Sequence, residues 1–157
     1  MRIPFKFGTS AILGLGFLTS SASAEEKKIA LNEVPKPVMA AFKAKFPSAI
    51  VKNAIQETVD GKVTYEIESV DKAGLTVDGV LKPGGEFVAI EQEIKPADLP
   101  SEAAPAVAAR YPKSTITKAE AVTAGAKKSF EAVVKKSDGK SVTVIFDKDG
   151  KFVEEEK

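Results

Sequence analysis

Hydrophobic residues near the start of the chain recur at the spacing of an amphipathic helix. Four apolar side chains fall at i, i+3, i+4 and i+8, and the same pattern returns 65 residues later. The two stripes consist of Val38, Ala41, Phe42 and Phe46 and, in the later segment, Ala103, Ala106, Val107 and Tyr111. Pro35 and Pro100 suit the first turn of a helix. Pro47 and Pro112 directly follow the last residue of each stripe, so each helix should end there. The pattern predicts two short helices, each with one face in a core.

After each helical stripe the period changes from 3.6 to 2. Val63, Tyr65 and Ile67 alternate with polar residues, which is typical of a strand with one buried and one solvated face. Glycine and Asp-Gly turn signals separate four such runs after each helix. In the first segment the first predicted strand covers 49–58 and the last covers 86–94. In the second segment the corresponding strands cover 114–123 and 151–155.

The two segments are related by an internal duplication. Without a gap, residues 34–92 align with 99–157, and 14 of the 59 pairs are identical. Composition alone would give roughly 4 identities, so the offset indicates a repeated unit. We therefore predict an α+β fold of two tandem repeats, each a short helix packed on a four-stranded antiparallel meander. The predicted repeats cover 25–95 and 96–157, and the short connector around Pro96 predicts one compact body.

Short motifs in both segments resemble a known family. An aromatic residue and proline end each helix, an aromatic-Glu pair lies in the next strand, and a glycine turn precedes Phe-Val in the last. This combination resembles the PepSY-like domains of exported bacterial proteins, and the tandem arrangement is similar to that of beta-lactamase-inhibitor-like exported proteins. The motifs are Phe46-Pro47, Tyr65-Glu66, Gly85-Glu86-Phe87-Val88, and Tyr111-Pro112, Phe130-Glu131, Gly150-Lys151-Phe152-Val153. The resemblance implies binding or inhibition of an extracytoplasmic protein; with no Cys and no Trp, no inhibitory-loop residue is carried over.

The first 24 residues have the features of a secretory signal. Arg2 and Lys6 are basic, 11–18 is a short apolar run, and 22–24 reads Ala-Ser-Ala. We predict cleavage after Ala24 and a periplasmic or secreted protein without a membrane span after cleavage. The remaining chain carries 21 basic and 22 acidic residues, interspersed, so no nucleic-acid surface is expected. The charged segments 25–28 and 154–157 are interpreted as solvated ends.

Composition removes several kinds of chemistry. The chain has no Cys and no His, so thiol nucleophiles, disulfides and imidazole bases are excluded. Asp147 and Asp149 resemble half of a calcium loop, but the spacing of Asp and Gly is explained better by a β-turn. We therefore expect no cofactor, no metal and no enzymatic activity.

The candidate partner-binding residues are two charged pairs kept by the duplication. Glu66 and Glu131 alternate with aromatic residues and should point away from the helices, with Lys62 and Lys127 nearby. One interpretation is a charged contact for a partner; the other, which we favour here, is a cross-strand ion pair on a solvated sheet. A paired-carboxylate hydrolase would need the two groups to converge with separated pKa values, and we do not favour it.

Three functions remain open from the sequence. The leading one is an exported, non-enzymatic binding module, including an inhibitor of an extracytoplasmic protein or protease, that presents a sheet face or edge to a protein or peptide. The alternative is a structural or self-associating envelope protein without small-molecule chemistry. A carboxylate enzyme is third. The oligomeric state does not follow from these patterns.

Overall fold

The computed structural model describes residues 24–155 as one antiparallel sheet with two short helices. The predicted signal segment up to residue 23 lies outside these residues. The elements are β1 (Ala24–Ile29), α1 (Lys36–Lys45), β2 (Ile50–Val59), β3 (Lys62–Val70), β4 (Thr76–Leu81), β5 (Phe87–Ile94), a 3-10 turn (Pro96–Asp98), α2 (Ala103–Arg110), β6 (Thr115–Ala124), β7 (Lys127–Lys135), β8 (Ser141–Asp147) and β9 (Phe152–Glu155).

The strands follow one another across the sheet in chain order, from β1 at one edge to β9 at the other. Each neighbouring pair is antiparallel, joined by short turns or by the helical connections before β2 and β6. The spacing inferred from the duplication is visible in the bounds: β6 and β7 begin 65 residues after β2 and β3. The local strand pattern was thus read correctly from the alternation of polar and apolar residues.

The predicted fold class is wrong. Two separate helix-plus-four-strand units are not formed, because β5 pairs with β6 over six residue pairs, from Ala89 opposite Ala124 to Ile94 opposite Ala119. The result is a single nine-stranded, mostly β structure. Pairing between the halves satisfies backbone groups that would otherwise form two exposed sheet edges.

The ninth strand was missed by the sequence analysis. Residues 25–28 were interpreted as a solvated charged end, but they lie within β1 and pair with β2. Four consecutive charged residues give no alternation to detect. The strand is held by backbone pairing and by Ile29, which is buried in the α1 core.

Both helices pack on the same face of the sheet. Phe42 and Val38 of α1 are buried against Ile67 and Leu81. Ala103 and Val107 of α2 pack in the same way, in a second cluster formed with Phe130, Ala132, Val134, Val144 and Phe146. Each helix ends on the aromatic residue before the proline, as predicted, with the backbone N–H of Phe46 or Tyr111 bonded to the preceding turn.

Glycines permit the close approach of sheet and helix. Gly85 has φ of +89°, and a Cβ built on it would lie 2.7 Å from the carbonyl oxygen of Pro37. Gly79 faces the rings of Phe42 and Phe87, where a Cβ would lie 3.0 Å from each. The two positions bring β4 and the turn before β5 against α1, so this face is closed to solvent.

Candidate functional site: the acidic face of the sheet

The face of the sheet opposite the helices is rich in carboxylates. Strand alternation puts them there: Ile67 points into the core, so Glu66 and Glu68 on either side of it point the other way. Glu131 has the same relation to its two core neighbours in β7. We define the acidic face as the set Glu66, Glu68, Asp78, Glu91, Glu93, Glu120 and Glu131, which lies on strands β3 to β7.

Strand register arranges six of these carboxylates in two rows. Glu68 lies opposite Asp78, and Asp78 lies opposite Glu91. Glu93 and Glu131 flank Glu120 in the same way on the other half of the sheet. Residues directly opposite in an antiparallel pair have Cβ atoms about 4.5–5.5 Å apart, and like charges there destabilise the sheet. The two rows meet on β5, where Glu91 and Glu93 point to the same side.

The centre of this face is shielded from solvent. Glu91 is 4% exposed, Ala89 1% and Val122 4%, although both helices pack on the other face. These central residues are therefore buried without cover from either helix. Four register shifts of the kind that a β-bulge produces interrupt the ladder, and a bulge increases local twist. They lie in the pairings β2–β3, β4–β5, β6–β7 and β8–β9.

Most of the carboxylates on this face have defined partners. Glu68 accepts a hydrogen bond of 2.7 Å from the Asn53 side chain, and Asp78 accepts one of 2.9 Å from the backbone N–H of Ser69. Glu93 accepts from the N–H and hydroxyl of Thr76, each at 3.2 Å.

An ion pair adds to these hydrogen bonds. Lys118 approaches Glu120 to 2.8 Å, with both side chains mostly shielded from solvent. Lys118 is therefore already engaged and neutralises one of the carboxylates on the face.

Glu66 and Glu91 make no hydrogen bond or ion pair with the part of the chain that the structure describes. Of the two, Glu91 is the more deeply buried. Burial is the main cause that raises its pKa to about 9, and the nearby carboxylates add to the effect, Glu131 most and then Glu120, Glu66 and Asp78. Glu91 is therefore protonated at neutral pH and sits at the centre of the acidic face.

Two further carboxylates share the effect. Burial raises the pKa of Glu66 to about 7, with added repulsion from Glu68 and Asp78. Burial also raises the pKa of Asp78 to about 6, opposed by the hydrogen bond from Ser69. Around neutral pH the charge of this face is thus adjustable by small changes in its surroundings.

The structure separates the residues of the predicted charged pairs. Glu66 is half-buried on the acidic face and Glu131 is 7% exposed there. Lys62 and Lys127 lie at the exposed starts of β3 and β7, four residues away from the glutamates, or about 13 Å along a strand. Neither lysine makes an ion pair within residues 24–155.

Five residues of the acidic face were not predicted from the sequence: Glu68, Asp78, Glu91, Glu93 and Glu120. Their alternation with core residues was visible within each predicted strand. Their position side by side on one face could not be predicted, because it depends on the register between strands and on the β5–β6 pairing.

The described residues contain a turn where a calcium loop was considered, and they contain neither a metal-binding group of acidic residues nor a membrane-spanning helix. Asp147 accepts hydrogen bonds from the N–H groups of Asp149 and Lys151, each at 2.9 Å, which is the geometry of the predicted turn. Within 24–155, no group of three or more acidic residues is placed to hold a metal ion. None of the helices in that range is long and apolar enough to span a bilayer.

Comparison with known proteins identifies related folds. The sequence matches no protein-family model, and the search among curated proteins finds no match. A solved structure from Bacteroides eggerthii, described provisionally as a periplasmic protein, has a TM-score of 0.64 at 17% identity and covers 78% of this chain and 88% of its own. A DUF2874 family protein from Bacteroides uniformis has a TM-score of 0.63 at 16% identity, with the same coverage of 78% and 88%.

A third similar structure bears on the predicted resemblance. A BLIP-like protein from Bacteroides fragilis has a TM-score of 0.58 at 18% identity and covers 77% of this chain and 84% of its own. At this identity the likeness shows a shared fold. It supports the resemblance to beta-lactamase-inhibitor-like exported proteins at the level of fold, whereas the PepSY-like assignment stays a prediction. The periplasmic description of the Bacteroides eggerthii protein agrees with the export predicted from residues 1–24.

Proposed function

We propose that this protein is a non-enzymatic binding module of the periplasm or the secreted fraction, and that it presents its acidic face to a protein partner. The observation that carries the proposal is Glu91, a buried carboxyl without a partner in the described chain, placed among like charges. Such an arrangement costs folding stability, and departures from local stability rules are concentrated at functional sites. The shared fold with a BLIP-like protein is consistent with this proposal, and we propose inhibition as the form that binding takes.

The geometry favours binding over hydrolysis. In a carboxylate hydrolase the acid and the base or nucleophile flank one substrate bond with separated pKa values. Here raised pKa values are spread over four strands, at Glu57, Glu66, Asp78 and Glu91, and each is raised mainly by burial. A broad surface of this kind suits contact with a macromolecule.

Affinity capture tests the proposal. The protein is immobilised and exposed to the extracytoplasmic fraction of its own organism, alongside a Glu66→Gln/Glu91→Gln variant and a Glu102→Gln control. Glu102 is an exposed residue at the start of α2, outside the acidic face. We expect a stoichiometric partner retained by the protein and by the control, and reduced at least about tenfold by the double variant.

Two results would contradict the proposal. One is the absence of any stoichiometric partner for a protein that sediments as a monomer. The other is a mass that rises with concentration and returns to that of a monomer in the double variant, which would establish the self-associating alternative.

Export is tested separately. The N-terminus of the protein recovered from the periplasm or medium should be Glu25. Recovery of the full-length chain from the cytoplasm would overturn the localisation.

A further inference from the structure

We propose that two copies of this protein pair through strand β1, antiparallel and edge to edge, so that their two sheets join into one. The contact consists of residues 25–29 of each copy, and we call it the β1 seam. It lies at the edge of the sheet and goes beyond the proposed function, which concerns the acidic face. The inference follows from the regularity of this edge, from its charges and from the register that those charges allow.

The two edge strands of the sheet differ in the ladder that they offer. Strand β1 pairs with β2 over six consecutive positions without a register shift. Strand β9 pairs with β8 over three positions, and a register shift interrupts them. Short edge strands and bulges are two ways in which proteins prevent pairing at an edge, and β9 has both. The outer backbone groups of β1 face no other strand within residues 24–155 and are available to a second chain.

Charge is the remaining protection of this edge, and on β1 the charges have both signs. The strand carries Glu25, Glu26, Lys27 and Lys28, and all four side chains are exposed. None of them makes an ion pair with the described residues. A run of one sign would repel a second copy, whereas a run of two glutamates and two lysines complements itself when the second copy is antiparallel.

The fold restricts the registers in which two copies can pair. Ile29 is buried in the α1 core, so it points to the helix face. By alternation Glu25 and Lys27 point to the same side, and Glu26 and Lys28 point to the acidic side. A twofold axis that makes two edge strands antiparallel keeps the helices of both copies on one side of the joined sheet. Residues that lie opposite each other across the β1 seam therefore come from the same face.

Two registers meet this condition with most of the strand paired, and Glu57 decides between them. One is centred on Glu26, which already lies opposite Glu57 in the β1–β2 pairing. Burial raises the pKa of Glu57, and the charge of Glu26 adds to the effect. A seam centred on Glu26 would align two such pairs, four carboxylates in a row, which is unfavourable.

The register centred on Lys27 pairs charges of opposite sign. It puts Lys28 of each copy directly opposite Glu26 of the other, so a cation reaches the side of Glu26 that Glu57 does not occupy. The two Lys27 side chains lie opposite each other, but each has Glu25 of the second copy diagonally across, within reach of a long side chain. All eight charges of the β1 seam then have a partner of opposite sign.

Analytical ultracentrifugation of the exported protein tests the pairing. The seam is short, so we expect a monomer–dimer equilibrium with a Kd of about 10 μM to 1 mM that stops at the dimer. Raising the salt concentration from about 0.05 M to about 0.5 M should increase the Kd at least about threefold, because the ion pairs are screened.

Charge reversal locates the contact. Lys28→Glu puts carboxylates opposite each other and should weaken pairing at least about tenfold, and Glu26→Lys should do the same with two ammonium groups. An equimolar mixture of these two variants restores opposite charges at both positions and should form dimers about as tightly as the unchanged protein. Lys140→Glu, at an exposed residue in the turn before β8, should have no effect. Equal thermal unfolding of the dilute variants establishes that β1 stays in the sheet.

Cross-linking determines the register, since the chain has no cysteine of its own. Lys27→Cys puts two thiols opposite each other, with Cα atoms about 4.5–5.5 Å apart, and should form a disulfide-linked dimer. Glu26→Cys puts them about 8 Å apart, beyond disulfide reach, and should not. A mixture of Glu26→Cys and Lys28→Cys should cross-link, which excludes loss of charge as the reason for the negative result.

Four outcomes would overturn the inference. One is a protein that stays a monomer up to about 1 mM at low salt. The second is equal pairing of the Lys28→Glu and Lys140→Glu variants, which would remove the contact from β1. Growth beyond the dimer would mean that β1 pairs with β9, the opposite edge. Cross-linking of Glu26→Cys in place of Lys27→Cys would reverse the assigned register.

The result is distinguishable from failure of the proposed function. The Glu66→Gln/Glu91→Gln variant leaves β1 unchanged and should form dimers as the unchanged protein does. Dimers without any captured partner would support the β1 seam and contradict the function. A captured partner of a strictly monomeric protein would contradict the β1 seam alone.

Discussion

The two faces of the sheet are built from the same strands and follow opposite rules. On the helix face Phe42, Ile67 and Leu81 are completely buried and apolar, which is the ordinary basis of stability. On the acidic face Glu91 is almost as buried, yet it is polar and lacks a partner within the described chain. On β3 to β5 one side stabilises the fold, and the other side carries carboxyl groups whose burial costs stability.

Adjacent residues show the contrast best. Ile67 and Glu66 are neighbours in β3, but one is packed beneath α1 and the other has a pKa raised to about 7. Substitutions on the helix face should therefore reduce stability at every pH. Substitutions on the acidic face should alter stability in a pH-dependent manner, or alter binding alone.

The largest effect is expected from the core. Phe42→Ala removes a ring that is 0% exposed. This ring contacts the ring of Phe46, and the two ring centroids are 5.2 Å apart. Loss of burial and the resulting cavity should lower the free energy of unfolding by about 3–5 kcal/mol in chemical denaturation. The control Val153→Ala, at a side chain 54% exposed, should change it by less than about 0.5 kcal/mol. Similar losses in both variants would contradict the assigned core.

The next effect concerns the contact between the sheet and α1. Gly85 and Gly74 have similar backbone angles, φ +89° and +82°, but a Cβ on Gly85 would lie 2.7 Å from the Pro37 carbonyl, whereas that on Gly74 has open space. Both alanine variants carry the cost of a left-handed residue, about 1–2 kcal/mol. Gly85→Ala should lose about 1–3 kcal/mol more. Equal unfolding midpoints for the two variants would show that the helix does not pack on this turn.

The pH dependence of stability tests the acidic face. Carboxyl groups with raised pKa in the folded protein favour folding while protonated, so their contribution is present below about pH 4 and is lost as pH rises through about 6, 7 and 9 for Asp78, Glu66 and Glu91. We expect the free energy of unfolding to fall by about 1–3 kcal/mol between pH 5 and pH 9.

Glu91→Gln should remove most of this slope. The variant should match the unchanged protein at pH 5 and be the more stable of the two at pH 9, measured by urea unfolding. Glu102→Gln should keep the slope. A profile that is flat in the unchanged protein would show that Glu91 is not buried among like charges.

The smallest effects are expected at the lysines first considered for partner binding. Lys62→Ala and Lys127→Ala should each change the free energy of unfolding by less than about 0.5 kcal/mol, because both side chains are exposed at strand starts. Lys118→Ala should cost about 1 kcal/mol, since it leaves the shielded carboxylate of Glu120 without its ion pair. A larger loss at Lys62 than at Lys118 would reverse this assignment.

Part of this structure was predictable from local patterns. Helix ends followed from Pro47 and Pro112, and the strand bounds from alternation and Gly turns. Strand β1 was missed because its charged residues do not alternate, and pairing with β2 holds it in place. Glu66 and Glu131 were selected as candidates on the duplication, and the structure puts them at two positions of a larger acidic face.

The order of residues along the chain determined which side chains share a face of each strand and where each helix stops, because both are consequences of backbone geometry within a few residues. The tertiary structure decided that β5 joins β6, and that Glu68, Asp78 and Glu91 lie side by side. These contacts depend on the register between strands. Register arises from pairing and packing among residues far apart in the chain, which no local pattern records.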